Sequence, residues 1–345
     1  MDNIILLGGV FDPVHIGHLL IYKTIKKHLQ FKKFIIIPSK NPPLKDHQPY
    51  APIADRINML KLLFGRYRDI EISTHEVFVK NKIVSYTIDT LKYFHKKYPN
   101  AHLYFVIGSD RYLDFKQWKS WRDILQLVKL LVVKRNHKKI VKSIPATFLN
   151  VKPIMISSSQ LRIEPNNRYL TTSVSDYISS HGLYISNQIR PLLSFKRYEH
   201  TLRVAKLAVE LTKAIAPKLI KKAYIAAMYH DIAKEFSQTK IKSMIEKWDK
   251  KMFPTIHTMH GLASAIYAQK FFNIKDPQIL DAVSYHVIPN VHSSTLTMII
   301  YCADKLEPAR TKKDVSNRLK YIKLAKHNLK LAFTMLKQEM SKHYN

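Results

Sequence analysis

The sequence predicts two domains in tandem, an α/β domain built on a parallel sheet followed by an all-α helical bundle. Three observations lead there: a length of 345 residues, short apolar runs alternating with amphipathic stretches in the first half, and the loss of strand signal from about Gln188 onward. A chain of this length exceeds one ordinary domain and fits two of roughly 150–200 residues. Its 46% apolar and 24% charged residues are those of a folded globular protein.

The runs Ile4–Leu7, Phe34–Ile37, Leu103–Ile107 and Leu130–Val133 are expected as buried strands, because they are uniformly apolar and too short for core helices. Segments around Leu19–Leu29, Ile53–Phe64, Tyr86–Tyr98 and Ile124–Leu127 are expected as the helices between them. Such alternation makes βαβ units and a sheet covered on both faces. Ligands of such sheets bind beyond the carboxyl ends of the strands, where strand order reverses. In the second half, helices are expected over Tyr198–Ala214, Leu219–Lys234, Thr239–Trp248, His260–Phe271, Pro277–Val287 and Leu296–Leu306, with a basic amphipathic tail, Asn317–Lys342. Arg190-Pro191 interrupts the periodicity where strands give way to helices, so the domains are placed at 1–186 and 187–345.

No apolar run approaches the roughly 18 residues of a membrane-spanning helix, and Met1–Gly9 carries Asp2 with no basic segment, so a cytoplasmic location without membrane insertion is expected. The single cysteine, Cys302, excludes a disulfide within the chain and suits a reducing compartment, as a small buried group. The balance of 57 Lys+Arg against 25 Asp+Glu gives +32, which attracts nucleic acid, anionic lipid or nucleotide polyphosphates. Lysines are scattered over nearly every segment, so the charge fits a solvated basic surface and does not by itself call for nucleic acid. The tail is expected to close the bundle rather than lie on a membrane. A homo-oligomer is left open.

Two chain-distant motifs suggest a first site. After the first strand comes Gly8-Gly9-Val10-Phe11-Asp12-Pro13-Val14-His15-Ile16-Gly17-His18. The paired glycines let the backbone turn and approach a ligand, and two histidines three apart at a helix start can face one bound group. Free backbone N–H groups and the positive helix end favour phosphate there. Far downstream, Ile156-Ser157-Ser158-Ser159-Gln160-Leu161-Arg162 offers hydroxyls and a guanidinium fork as a second phosphate cradle. The pairing suits nucleotidyl transfer, which needs orientation and electrostatic relief more than a covalent nucleophile.

In these residues the chain resembles the nucleotidylyltransferase superfamily, with its H-x-G-H and I-S-S-[ST]-x-[IL]-R elements. More narrowly it resembles the bacterial nicotinate-nucleotide adenylyltransferases, from residue 1 to about Tyr184. Supporting stretches are Ser85–Leu91, Ile107–Asp110, Val133–Arg135 and the closing Tyr177–Tyr184. The resemblance implies that His15 and His18 stabilise the phosphates of ATP while the mononucleotide phosphate attacks the α-phosphorus. It implies that Ser158, Ser159 and Arg162 hold the outgoing pyrophosphate, and that Gly108 and Asp110 contact the adenosine. Gly8, Gly9, Phe11 and Asp12 belong to the same binding stretch. Thr87, Trp118 and Arg135 match positions around nicotinate mononucleotide, Trp118 by stacking on the pyridine ring. Mg²⁺ is implied as the ATP counterion. Where the family usually places histidine before lysine after Pro42-Pro43, this chain has Leu44-Lys45; Lys45 remains a candidate phosphate contact. Phosphopantetheine or another adenylyl acceptor is the alternative.

In the helical half, His200, the His230-Asp231 doublet, His260, His286 and Asp304 each occupy their own predicted helix or helix end, so a bundle could gather them. The doublet follows the apolar run Tyr224–Tyr229 and Asp304 follows Leu296–Cys302, places where burial is costly unless the groups are paired or metal-bound. Imidazole and carboxylate together suit Fe, Mn or Zn. This set resembles the HD-domain phosphohydrolases, in the subgroup of symmetrical diadenosine tetraphosphatases, over about Ile189 to Lys312. Its carriers include Arg197–Val204, His230–Lys234, His260-Gly261, His286 and Ala303–Arg310. The resemblance implies one metal on His200, His230, Asp231 and Asp304, a second on His260 and His286 bridged by Asp231, iron as the metal, and a dinucleoside polyphosphate, the tetraphosphate, split into two ADP. A metal pair lowers the pKa of water and clamps an in-line displacement at phosphorus. Lys234, expected on the helix face of the doublet, and Arg310 are candidate phosphate contacts. His257 lies three residues before His260, and His260 is preferred because it precedes Gly261 at a helix start, as in the family. Other HD enzymes cleave other nucleotides. A basic nucleic-acid-binding scaffold without chemistry is the competing account; it predicts decay at charged site positions, whereas both histidines of the first motif and all six metal candidates are present.

Overall fold

The computed structural model describes residues 1–40, 50–78, 86–134, 143–150, 156–247, 255–289, 293–310, 315 and 317–341. The chain folds into two compact units, Met1–Arg162 with Asn167–Val174, and Ile163–Asn166 with Ser175–Asn345.

The first unit runs β1 (Asp2–Gly9), α1 (Ile16–His28), β2 (Lys33–Pro38), α2 (Ile53–Phe64), β3 (Ile70–Ile72), α3 (His75–Phe78), α4 (Thr87–Lys97), β4 (Ala101–Gly108), α5 (Ser109–Leu113), α6 (Trp121–Leu127), β5 (Lys129–Lys134), β6 (Thr147–Asn150) and α7 (Ser158–Ile163). The six strands form one parallel sheet in the order β3-β2-β1-β4-β5-β6. Order reverses between β1 and β4, where Leu6 lies beside Phe105 and Leu7 beside Val106. The four central strands are those expected from the apolar runs. Both of their faces are buried: Ile4, Leu6, Phe105 and Val132 join Leu91, Phe94 and Ile124 in one core, while Phe34 on the other face meets the ring of Tyr22 edge-on at 5.3 Å. The edge strands β3 and β6 were not evident in the sequence. They are short, carry Glu71 and Asn150, and are only partly buried, so neither leaves an apolar run.

The second unit contains α8 (Thr172–His181), α9 (Ile185–Ile189), α10 (Phe195–Ile215), α11 (Ile220–Tyr229), α12 (Gln238–Met244), α13 (Ile256–Phe272), α14 (Pro277–Ser284), α15 (Thr295–Leu306), α16 (Arg318–Ala325) and α17 (Leu329–Ser341), with no strand among the described residues. Its core joins Val204 and Leu211 of α10 to Ala226 and Met228 of α11, Val283 of α14, Ile300 of α15 and Leu336 of α17. Asp176 of α8 ties into this unit, accepting from Asn273 at 2.7 Å and Lys275 at 2.6 Å.

Helix α11 and the basic tail depart from expectation. Helix α11 stops at Tyr229 instead of continuing to Lys234, and His230–Glu235 form turns. The His230 ring nitrogen Nδ1 lies 2.6 Å from the Ala227 carbonyl, the acceptor that a continuing helix would offer to the Asp231 N–H. The basic tail is two helices, not one, broken near Asn328, whose side chain accepts from the Leu331 N–H at 3.1 Å. The tail packs inward: Ala332 and Leu336 are buried, and Phe333 meets Tyr301 edge-on at 5.2 Å. No helix among the described residues is long and apolar enough to cross a membrane. Cys302 is buried in α15, and burial pushes its thiol up to about 12.

Candidate functional sites

A cavity of ≈ 670 Å³ opens at the carboxyl ends of β1 and β4, at the reversal of strand order. Its walls come from three parts of the chain. Gly8, Gly9, Phe11, Asp12, His15 and His18 line it from the β1–α1 segment, Thr87, Gly108, Asp110 and Trp118 from the middle, and Ser158, Ser159 and Arg162 from α7. Lys45 and Arg135 lie outside the described residues.

The two histidines cap helix α1 reciprocally. His15 Nδ1 accepts from the Gly17 N–H at 3.1 Å, and His18 Nδ1 accepts from the His15 N–H at 3.2 Å, with ring centroids 4.0 Å apart. A nitrogen that accepts a hydrogen bond carries no proton, so in each neutral ring the proton sits on Nε2. That tautomer can donate to a phosphate oxygen. Gly17 is required by the same contact, since a Cβ there would lie 2.8 Å from the His15 ring.

Arg162 joins the distant motifs. Its Nη1 donates to the Asp12 carbonyl at 2.7 Å across 150 residues of sequence, and its Nη2 donates to Ser159 Oγ at 3.0 Å. Ser158 Oγ donates to the Pro13 carbonyl at 3.0 Å. The Asp12 carboxylate accepts from the N–H groups of Tyr50 and Ala51. Buried Arg56 donates to the carbonyls of Val10, Ser39 and Ala51, which fixes the turn after β1.

Glu76 lines the same cavity and has no motif to announce it. One carboxylate oxygen accepts from Thr90 Oγ1 at 2.7 Å, and the other is buried without a hydrogen-bond partner. Burial pushes this carboxyl up to about 7, against the opposing effect of the Thr90 hydroxyl. The folded state thus holds a proton that the unfolded chain releases near pH 4.5. The resulting stabilisation is complete below that pH and is lost as pH rises through about 7. Glu76→Gln keeps an acceptor for Thr90 and removes the ionisation. It should gain about 1–3 kcal/mol over the parent at about pH 8.5 and almost nothing at about pH 4.5, read from thermal melts. A gain of equal size at both pH values would count against this assignment.

In the second unit the six predicted side chains converge. His200, His230 and Asp231 form one group whose donor atoms lie within 4.8 Å of one another, and Asp231, His260 and His286 form a second. Asp231 therefore belongs to both. Asp304 Oδ1 lies 3.2 Å from His200 Nε2 and 3.9 Å from His230 Nε2, on the first side. All six are buried. Gly261 permits the meeting of α13 with the end of α14, because a Cβ there would lie 2.6 Å from the Ser284 carbonyl and 3.3 Å from His286 Nδ1. His260 sits one turn into α13, which begins at Ile256, so it lies further into the helix than expected. The side chain of His257 is outside the described residues.

The donor set fits metal ions. His200 Nδ1 lies 3.3 Å from Glu307 Oε1, His230 Nδ1 2.6 Å from the Ala227 carbonyl and His286 Nδ1 2.7 Å from the Val283 carbonyl. These acceptors hold the proton on Nδ1 and leave a lone pair on Nε2. Nε2 of His200 and of His230 is buried without a hydrogen-bond partner. Lone pairs facing carboxylates repel unless a cation lies between them. Burial lowers His230 to about 3 and His260 to about 4, so both are neutral near pH 7, as ligands must be. Burial alone would raise Asp231 and Asp304. The His260 N–H instead holds Asp231 well below the usual range, and Lys305 and Arg310 do the same for Asp304.

Cations surround the cluster. Arg197 donates to Asp231 Oδ2 at 2.8 Å, Lys305 to Asp304 Oδ2 at 2.7 Å and Arg310 to Asp304 Oδ1 at 3.2 Å. Lys234, in the turn and not on the expected helix face, places Nζ 3.3 Å from His260 Nδ1. Arg197 and Glu307 carry no role in the sequence reading. Arg197 lies three residues before His200 in α10, a spacing that could have pointed to it, whereas Glu307 is the C-cap that ends α15.

Known proteins match the two parts of the chain separately. Residues 6–179 match the Cytidylyltransferase-like family and residues 197–309 match the HD domain. A Mycoplasma genitalium protein named as a probable nicotinate-nucleotide adenylyltransferase/Ap4A hydrolase is 33% identical over 341 residues, 96% of either chain. Its Mycoplasma pneumoniae counterpart is 29% identical over 95% of this chain and 96% of its own. A probable nicotinate-nucleotide adenylyltransferase of Aquifex aeolicus is 42% identical over 131 residues, covering 38% of this chain and 76% of that protein.

Proposed function

The chain belongs to the cytidylyltransferase-like family and carries an HD domain behind it, and from that premise we propose that it is a bifunctional nucleotide enzyme. Its first unit transfers the adenylyl group of ATP, accompanied by Mg²⁺, to nicotinate mononucleotide, giving nicotinate adenine dinucleotide and pyrophosphate. Its second unit hydrolyses diadenosine tetraphosphate to two ADP with two metal ions, which we assign as iron.

One observation carries the first activity: Arg162 brings the histidine and serine motifs to a single cavity through the Asp12 carbonyl at 2.7 Å. His15 and His18 offer Nε2–H donors to the phosphate oxygens on which charge grows as the acceptor phosphate attacks. Ser158, Ser159 and Arg162 face the leaving pyrophosphate. Trp118 supplies an aromatic wall suited to a flat pyridinium cation.

For the second activity the carrying observation is that Asp231 is shared by both ligand groups. Bound metal ions would supply an activated water and neutralise phosphate charge. His200, His230, Asp231 and Asp304 would hold one ion and Asp231, His260 and His286 the other. Water adds across the central P–O–P linkage, and each half leaves as ADP. Lys234, Arg197 and Arg310 stand where phosphate charge must be offset.

The purified chain should release pyrophosphate from ATP with nicotinate mononucleotide, and no release would reject the acceptor assignment. Loaded with metal, it should convert diadenosine tetraphosphate to ADP. An intact tetraphosphate beside phosphate release from another nucleotide would overturn the substrate and leave the hydrolase.

A further inference from the structure

The four histidines of the second site are not prepared alike. Three of them meet an acceptor at Nδ1: Glu307 for His200, the Ala227 carbonyl for His230 and the Val283 carbonyl for His286. His260 instead meets the Lys234 ammonium, with Nζ 3.3 Å from Nδ1. An ammonium can only donate, so Nδ1 of His260 must accept and its proton sits on Nε2. That Nε2–H points at Asp231 Oδ1, 2.9 Å away. A ring backed by a cation is a poorer metal donor than one whose far nitrogen donates to an acceptor.

We infer that the two metal positions are inequivalent: the one bounded by His200, His230 and Asp304 fills first, and the one bounded by His260 and His286 fills tightly only when Lys234 leaves His260. The inference rests on the hydrolase reading and extends it. Once Lys234 withdraws, His260 Nδ1 can carry the proton and Nε2 can offer its lone pair, as in its three neighbours. An anionic phosphate group is the natural alternative partner for Lys234. Binding of a phosphate-bearing ligand and binding of the second ion therefore favour one another, a reciprocal coupling.

The experiment titrates the metal-stripped full chain with Mn²⁺, following heat and the metal retained after desalting. Two steps are expected, the second weaker by about tenfold or more, the span that partners behind a ligand typically control. Lys234→Met and Lys234→Gln should each tighten the second step by about tenfold and leave the first in place; the Gln carbonyl can itself accept from Nδ1–H. Lys305→Met serves as the control for charge, since its ammonium lies against Asp304 and should move the first step. A single step for two ions in the parent, or a second step unmoved in both Lys234 variants, overturns the inference and leaves the hydrolase reading standing. Equal tightening of both steps reduces Lys234 to a nearby charge and overturns it as well. Failure of the parent to retain any metal would remove the hydrolase reading along with it.

Discussion

Asp231→Asn should leave the second unit unable to retain either ion and should lower its hydrolysis at least on the order of a thousandfold. Asp231 is the one carboxylate common to both ligand groups, and it faces imidazole nitrogens of His200, His230, His260 and His286 at 3.7, 3.6, 2.9 and 3.5 Å. An amide removes the charge and one of two acceptor oxygens, so the side chain can no longer be shared between two ions. It also leaves the guanidinium of Arg197 beside a neutral partner. Even residues that only support a ligand cost 10–100-fold in affinity when removed, and a shared ligand should cost more. Elemental analysis after dialysis and the rate of ADP release both read the effect. Pyrophosphate release by the first unit should be unchanged, because its cavity is built from other residues. Two ions retained by the variant would sink the assignment of Asp231.

His18→Ala should cut pyrophosphate release by about 10²–10³-fold, the usual cost of losing one donor aimed at developing charge. The same change removes the acceptor for the His15 N–H, which should cost about 0.5–2 kcal/mol of stability. The two effects separate with His18→Asn. A short amide side chain can still accept at the helix start but cannot deliver a donor from the reach of Nε2. Asn should thus restore most of the melting temperature and little of the rate. Turnover within tenfold of the parent in both variants would mean that His18 caps the helix and does nothing more.

How much of this was legible in the sequence depended on how local each interaction is. The central strands were evident because both faces of β1, β2, β4 and β5 are buried and therefore uniformly apolar. The edges β3 and β6 carry polar residues on half-exposed backbone and blend into loops. The H-x-G-H and serine elements announce themselves as short motifs, as does the His-Asp doublet. Glu307 was harder to see, because its partner His200 is 107 residues away and only the fold shows that they meet. Arg56 and Glu76 had no signal of any kind; a buried arginine on three carbonyls and a buried carboxyl in a cavity look like ordinary surface charges in the sequence. The end of α11 is hidden for a different reason. Helix propensity continues past Tyr229, but a ring nitrogen takes over the Ala227 carbonyl, and no propensity scale includes that competition.

The thiol of Cys302 is the chain's single sulfhydryl, sealed in α15 and held in its unreactive protonated form. The native protein should accordingly be silent toward maleimides and disulfide reagents. A cysteine introduced on the surface of either unit would be the sole position to take up a dye or spin label. Slow labelling of the natural one would time the opening of the helical core.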